Sequence, residues 1–539
     1  MNDADPTELD AEPASEREQR VLRWSLCAAG LIGLATCALT CARRVGYAYP
    51  LEWMEGASLQ HALWLARGAL PYAAPSAELI AYLYPPLAYL PWAAALALLG
   101  PSLPVARAIS LACTLGALLL IARAGTRLVL RPDDSERISR PIWRRPRGTT
   151  SDTISDHNHP VGELGAARSA GLFAAGTFAA GFGYAGAFLD LVRVDACFVL
   201  LLVAAAERLS AEKHAAALGW LAAAALAKQH GLPLFAIVAL ALLARDLRAH
   251  ARAVIGSALA LGAALLGLQL ASDGWFARYV FELPSQHGLE LELLASFALV
   301  DLLLYLPALT IGGAYLLIAR WRTRGTTSAW RALTPLEALL LGAVAVSALG
   351  RAHPGGDDNV RLPAFALLCI CAAAPLAGRV LHGRERTLRR GLCLALLAQL
   401  ALLWQPPSAH APHASSERAW RTLTSALQRC GDGGRAVALD YALLTGEPFV
   451  HTMALSDLRM GTNSELAARG TRALLGALAS KDAPAAIAVG ASFAELDRAL
   501  AQRYRPCTVV RAPRLATGYQ PGRMDGGFRV QVVYTRASR

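Results

Sequence analysis

Residues 49–86 read YPLEWMEGASLQHALWLARGALPYAAPSAELIAYLYPP, and the rest of the chain is organised around them. The stretch follows the first hydrophobic segment directly. It is too polar to span a bilayer, yet too aromatic and too apolar for an ordinary loop. Glu52 and Glu55 open it, three residues apart, with Trp53, Met54 and Gly56 beside them. An amphipathic run from Ala57 to Arg67 follows, and Pro71-Tyr72 and Tyr84-Pro85-Pro86 punctuate its end. At helical spacing the two carboxylates share one face. They sit at a water–lipid boundary among Trp53, Met54 and Trp64, where partial desolvation raises a carboxyl pKa toward the range useful for a general base. The alternative is a solvated pair at a helix start, stabilised by the helix dipole. The functional reading is a membrane-surface platform carrying a catalytic carboxylate.

Composition points the same way. Of 539 residues, 55% are hydrophobic and only 17% charged, against about a quarter charged in soluble domains. Apolar segments of about twenty residues, the length a helix needs to cross the hydrocarbon core, recur from Trp24 to Trp404. The net charge of +12 would suggest nucleic acid in a soluble chain. Here the arginines cluster between apolar segments, which is the orientation signal of a polytopic protein, and no nucleic-acid partner is assigned. Eight of the ten cysteines lie in or beside apolar segments, where Cys acts as a small hydrophobe. Cys430 and Cys507 fall in a polar region and can pair if it faces an oxidising compartment.

These features predict a mainly α, polytopic membrane protein with a small α/β C-terminal domain. Residues 1–20 read as a disordered cytoplasmic tail. Residues 21–405 read as the transmembrane catalytic module, with 43–86 its first external loop and 125–165 a basic cytoplasmic loop. Spans are expected near 21–41, 105–124, 166–188, 195–209, 214–228, 231–244, 253–271, 296–319, 335–350, 361–378 and 391–405. Leu87–Leu99 is read as a short returning or surface helix, because only then do all the Arg clusters fall on the side of the N-terminal tail. That gives about eleven crossings with the N-terminus inside. The alternative, about twelve spans with the N-terminus outside, puts the platform in the cytoplasm. From Pro406 the composition becomes that of a soluble domain, 406–539. Strands are expected at Arg435–Asp440, Ala485–Val489, Cys507–Arg511 and Phe528–Thr535, with helices at 416–429, 464–479 and 492–503. The expected location is the inner membrane, with the C-terminal domain extracytoplasmic.

Three further constellations fall on the outer face with Glu52 and Glu55. In Asp190-Leu-Val-Arg193-Val-Asp195, two acids flank an arginine at the end of a span. They form a local ion-pair cap, or Arg193 orients Asp195 into a cavity. Lys228 stands out in a chain that prefers arginine; it snorkels to the interface or serves as a site cation. In Arg351-Ala-His353-Pro-Gly-Gly-Asp357-Asp358-Asn359, a Gly-Gly turn rich in donors can hold a phosphate through Arg351 and His353. His353 and the two aspartates have no second ligand cluster at recognisable spacing, so no metal ligands are assigned, while a divalent metal stays open. There is no P-loop, dinucleotide fingerprint or HExxH.

The segment EWMEGASLQHALWLARGALPYAAPS…YLYPPLAYLPWAAALALLGPSLPVARAISL resembles the first external loop of GT-C superfamily glycosyltransferases, which use polyprenyl-phosphate sugars. It is most similar to a bacterial branch related to glycosyltransferase family 39, the protein O-mannosyltransferase and aminoarabinose transferase type. The shared features are an acidic residue at the loop start, the step from Gly68 to Tyr72, a Tyr-Pro-Pro return, and Arg107 with Ser110 at a helix start. GFGYAGAFLDLVRVDACFVLLLVAAAERL resembles that family's second external loop, its aspartate matching Asp195. The resemblance covers most of residues 20–405. Many members have adjacent Asp-Glu, whereas Trp53 and Met54 split the acids here, so the choice between Glu52 and Glu55 stays open.

The resemblance implies an inverting transfer of a sugar from a polyprenyl-phosphate donor to an acceptor hydroxyl of a glycan, lipid or protein, on the extracytoplasmic face. No cofactor beyond the lipid-linked donor is implied. The acidic motif falls on Glu55, with Glu52 the alternate, and either takes the acceptor proton. Arg193, Lys228, Arg351 and His353 are the candidates to stabilise the departing phosphate. Asp195 holds the acceptor or orients Arg193, and Asp190, Tyr84 and Asn359 complete the set as substrate-binding residues. The reading from another class is a transporter or flippase, which would show broken helices and ionisable residues near the midplane.

Overall fold

Long apolar runs in the sequence become long helices in a computed structural model that describes residues 14–130, 160–324, 333–377, 384–511 and 531–537. The first is α1 (Ala14–Val45). The platform supplies α2 (Glu55–Ala66). A 3-10 turn at Pro86–Tyr89 leads into α3 (Leu90–Leu99), and α4 follows (Leu103–Leu130). Then come α5 (Pro160–Ala180), α6 (Val194–Ser210), α7 (His214–Ala227), α8 (Gly231–Arg245) and α9 (Leu247–Ala271). After a connection built from short turns, α10 (Leu291–Ser296) continues as a π-helix through Leu304. The remaining apolar helices are α11 (Pro307–Arg324), α12 (Pro335–Ala352), α13 (Leu362–Cys371) and α14 (Arg384–Leu403).

Small residues let these helices meet backbone to backbone, the usual way apolar helices pack without a hydrophobic driving force between them. A Cβ on Gly33 of α1 would overlap the carbonyl of Gly176 on α5, and one on Gly171 of α5 would overlap the carbonyl of Ala122 on α4. Aromatic side chains fill the remaining space, with Phe178 stacked on Phe365 at 5.1 Å between ring centroids.

Among the described residues, four helices are long and apolar enough to cross a membrane: Arg20–Val45, Leu103–Leu130, Leu247–Ala271 and Pro335–Ala352. Two bent pairs raise the number to six if each is one span. The expected eleven crossings are thus met only in part, and for several helices the reason is length. Helices α7 and α8 have 14 and 15 residues and rise about 21–23 Å, short of a core about 30 Å thick. The segment expected to span 296–319 is instead two helices at 95° to each other, broken just before Pro307. Helix α3 is a ten-residue piece, too short to cross. Most of the basic loop 125–165, the tail to residue 13 and strand residues 528–530 lie outside the described residues.

After Pro406 the chain forms α15 (Ala414–Gly431), β1 (Ala436–Ala438), α16 (Thr452–Met460), α17 (Ser464–Ala479), β2 (Ala486–Val489), α18 (Ala494–Arg503), β3 (Tyr504–Val510) and β4 (Gln531–Arg536). The sheet order is β1-β2-β4-β3, with β1 parallel to β2 and the other two pairings antiparallel. Helix α15 lays Trp420, Leu423 and Leu427 on this sheet, and Cys430 on its last turn is disulfide-bonded to Cys507 on β3. The core beneath is shared. Trp53, Met54, Tyr72, Ile80 and Tyr82 of the platform, with Phe276, Tyr279 and Leu283 from the 272–290 connection, belong to the same buried cluster as the sheet.

Candidate functional site

The two platform carboxylates do not share a helix face. Glu52 lies in the turn before α2, and Glu55 is the first residue of that helix. Neither is solvated: Glu52 is 4% exposed and Glu55 fully buried. Instead of forming a surface platform, residues 51–62 are buried between two cores: Trp53, Met54 and Ala57 pack with the C-terminal region, Leu51, Leu59 and Ala62 with the apolar helices, and the carbonyl of Ala442 occupies the space where a Cβ on Gly56 would be.

Glu55 is tied down on both oxygens. Arg107 of α4 donates to it through Nε (2.9 Å) and Nη2 (2.6 Å), and the backbone N–H groups of Leu51 and Val192 add two more hydrogen bonds. Burial alone would raise its pKa, but Arg107 and the two amides outweigh burial and hold it below the ordinary carboxylate range. Arg107 also donates to the carbonyls of Tyr47 and Tyr49. This pair is a knot joining the platform, α4 and the turn before α6.

Glu52 is the opposite case. Burial lifts its pKa to about 7, with repulsion from Glu55 adding to the rise, against the pull of Arg193. Arg193 donates from Nη1 to Glu52 at 3.2 Å and to the Met54 sulfur at 2.8 Å. Two residues on, Asp195 accepts from Lys228 Nζ at 2.7 Å and from Asn359 Nδ2 at 3.1 Å to both oxygens. The Lys228 ammonium also lies 5.7 Å from the centre of the Tyr84 ring. The structure therefore brings Glu52, Arg193, Asp195, Lys228, Asn359 and Tyr84 together, from five separate stretches of chain.

Three other residues go elsewhere. Asp190, expected to bind substrate, is a buried partner of Arg44 (2.8 Å), whose remaining N–H groups reach the carbonyls of His410 and Ala187. Its oxygens are engaged in holding α1 to this turn. Arg351 faces Asp301 at 3.2 Å and Asp358 at 3.5 Å, and Arg361 faces the same two acids at 2.9 and 2.6 Å. His353 faces not a phosphate cradle but His287, Nε2 to Nδ1 at 3.0 Å.

Sequence reasoning missed Asp457. It sits on α16, is 6% exposed, and faces Arg193 and Tyr82. Burial raises its pKa to about 7, and Arg193 pulls against that. Beside it, His451 lies 3.3 Å from the Tyr82 hydroxyl and 3.1 Å from the Trp53 carbonyl. Nothing local in DLRMG marks the acid, because its neighbours arrive from the other end of the chain. Among the described residues no group of three or more His, Cys, Asp or Glu is gathered as a metal site. Comparison with family models, curated proteins and solved structures returned no match.

Proposed function

We propose that this chain is a membrane glycosyltransferase that moves a sugar from a polyprenyl-phosphate donor to an acceptor hydroxyl on the extracytoplasmic side of the inner membrane. The carrying observation is the buried Glu52–Arg193 pair, with Asp195, Lys228 and Asn359 directly beside it. A carboxyl near pKa 7 suits a general base at neutral pH. Glu52 takes the acceptor O–H proton as the acceptor oxygen bonds to the anomeric carbon. The carbon–oxygen bond to phosphate breaks from the opposite face, and its electron pair leaves with the polyprenyl phosphate. Arg193 and Lys228 stabilise that phosphate. When Arg193 turns from Glu52 to the donor, Glu52 loses its counter-ion and becomes a stronger base. Glu55 orders the site without taking a proton. Asp195 and Asn359 hold the acceptor side, and the Arg351–Asp301 cluster keeps the neighbouring helices in register.

One observation favours a second reading, a transporter or flippase. The 95° break between α10 and α11 lies beside buried Asp301, which pairs with two arginines, and broken helices with internal charge are features of transporters. One experiment separates the two. Purified full-length chain in lipid nanodiscs is given a radiolabelled polyprenyl-phosphate sugar together with a cell-envelope extract as the source of acceptor hydroxyls, and release of polyprenyl phosphate is followed. The transferase reading expects release, reduced about 10²- to 10⁴-fold by Glu52→Gln. Translocation of intact donor in proteoliposomes without release would replace it with the second reading.

A further inference from the structure

His287, His353 and Asp457 meet at the place where the C-terminal region covers the site. His287 comes from the connection after α9, His353 from the end of α12 and Asp457 from α16. The His287 ring is 5% exposed and is held at both nitrogens: Nε2 lies 3.0 Å from the Asp457 carbonyl and Nδ1 lies 3.0 Å from His353 Nε2.

Counting protons shows what these contacts demand. A carbonyl only accepts, so His287 Nε2 carries hydrogen and, in the neutral ring, Nδ1 is bare. His353 Nε2 must therefore donate. Backbone groups of Pro354 and Pro284 also favour a protonated His353, and its other nitrogen lies outside the contact with His287, so one extra proton on His353 leaves that contact intact. A second proton has only His287 Nδ1 to go to. That would set two N–H groups head to head and make both rings cationic, with their centres 4.9 Å apart. The contact is compatible with one added proton and broken by two.

We infer that His287 and His353 form a proton-operated clasp that fastens α16, and with it Asp457, over the Glu52–Arg193 site. The clasp depends on the contacts alone and stands whether the site transfers sugars or transports them. The groups facing it are His230, whose charge opposes that of His353, and Arg193, which faces Asp457. Burial and the facing His287 lower the His353 pKa. Closed, the pair holds one added proton, and open it holds two, so closure weakens as pH falls and the second proton enters.

The test is hydrogen exchange of the full chain in nanodiscs between about pH 8 and pH 5, read at 452–460 and at an α4 reference segment, 117–124, and corrected for intrinsic exchange. The expected result is protection at 452–460 that falls by up to about tenfold per pH unit once the second proton enters, with the reference unchanged. His287→Gln keeps a donor for the Asp457 carbonyl and takes no proton, so the fall should vanish. His353→Gln keeps a donor for His287 and should behave alike, which guards against misfolding of either variant. A wild-type chain with flat protection at 452–460, or variants that retain the wild-type fall, would overturn the clasp. Because turnover is not read, failure here leaves the reaction assignment to its own assay.

Discussion

Glu52 and Glu55 differ by three positions, and everything that separates their chemistry is in their neighbours. Glu55 neutralises a fully buried arginine, so Glu55→Gln leaves Arg107 uncompensated. A stability loss of about 3–5 kcal/mol is expected, checked by thermal unfolding and by yield of folded protein. Glu52→Gln should instead fold and lose turnover. The pH dependence follows from the carboxyl held near pKa 7. Turnover should rise as pH passes upward through about 7 and Glu52 becomes a base. The stability sign is opposite: a raised carboxyl pKa means that the folded state holds the proton more tightly than the unfolded one. Stability from Glu52 is therefore greatest below about pH 4.3 and is lost as pH rises to about 7. Asp457, also raised to about 7, adds to that loss. The melting-temperature difference between wild type and Glu52→Gln should move in the variant's favour from pH 5 to pH 8, and a difference that does not change with pH would contradict the burial of Glu52. The sequence singled out Glu52, Glu55, Arg193, Asp195 and Lys228 as candidates, because charges beside apolar segments are costly and stand out, but the same signal marked Asp190, Arg351 and His353, which have other partners. It gave no basis for dividing roles between the two glutamates, since the deciding partners Arg107 and Val192 are 52 and 137 positions away.

At the scale of elements, Gly56 is the most exposed to test. Alanine is ordinarily the better helix former by up to about 1 kcal/mol, but here its Cβ would meet the Ala442 backbone carbonyl. Overpacking against backbone costs about 1–3 kcal/mol, so the clash wins. Gly56→Ala should destabilise, and faster hydrogen exchange in residues 439–458 would locate the damage. Elements were legible where a single periodicity persists: α17 occupies 464–479, and β2 lies within the expected 485–489 segment. Reading failed where tertiary contacts choose the conformation. Residues 296–319 are apolar enough to pass for one span, yet the chain turns through 95° between Leu304 and Pro307, beside the paired Asp301. Helix α16 was overlooked because its nine residues begin at a capping histidine, His451, whose ring is engaged by Trp53 and Tyr82.

For the whole molecule, the outer placement of residues 45–85 can be tested through Ala73, which is exposed. An Ala73→Cys chain should react with an impermeant thiol reagent in intact cells, and protection until lysis would reverse the orientation. The bond between Cys430 and Cys507 closes a loop of 77 positions, worth about 4.5 kcal/mol on chain entropy. Reductant should lower the melting temperature of the C-terminal region, and non-reducing peptide mapping of cell-derived protein should show the bond. The shared core beneath the sheet also has a consequence for biogenesis. Trp53 receives His451 from 398 positions downstream. At 5–20 residues per second a ribosome needs about 20–80 s to cover that interval. Throughout it Trp53 has emerged without the His451 ring that will pack against it. A premature stop codon anywhere before α16 therefore yields a product whose shared core lacks His451 and the sheet, and which membrane insertion alone cannot complete.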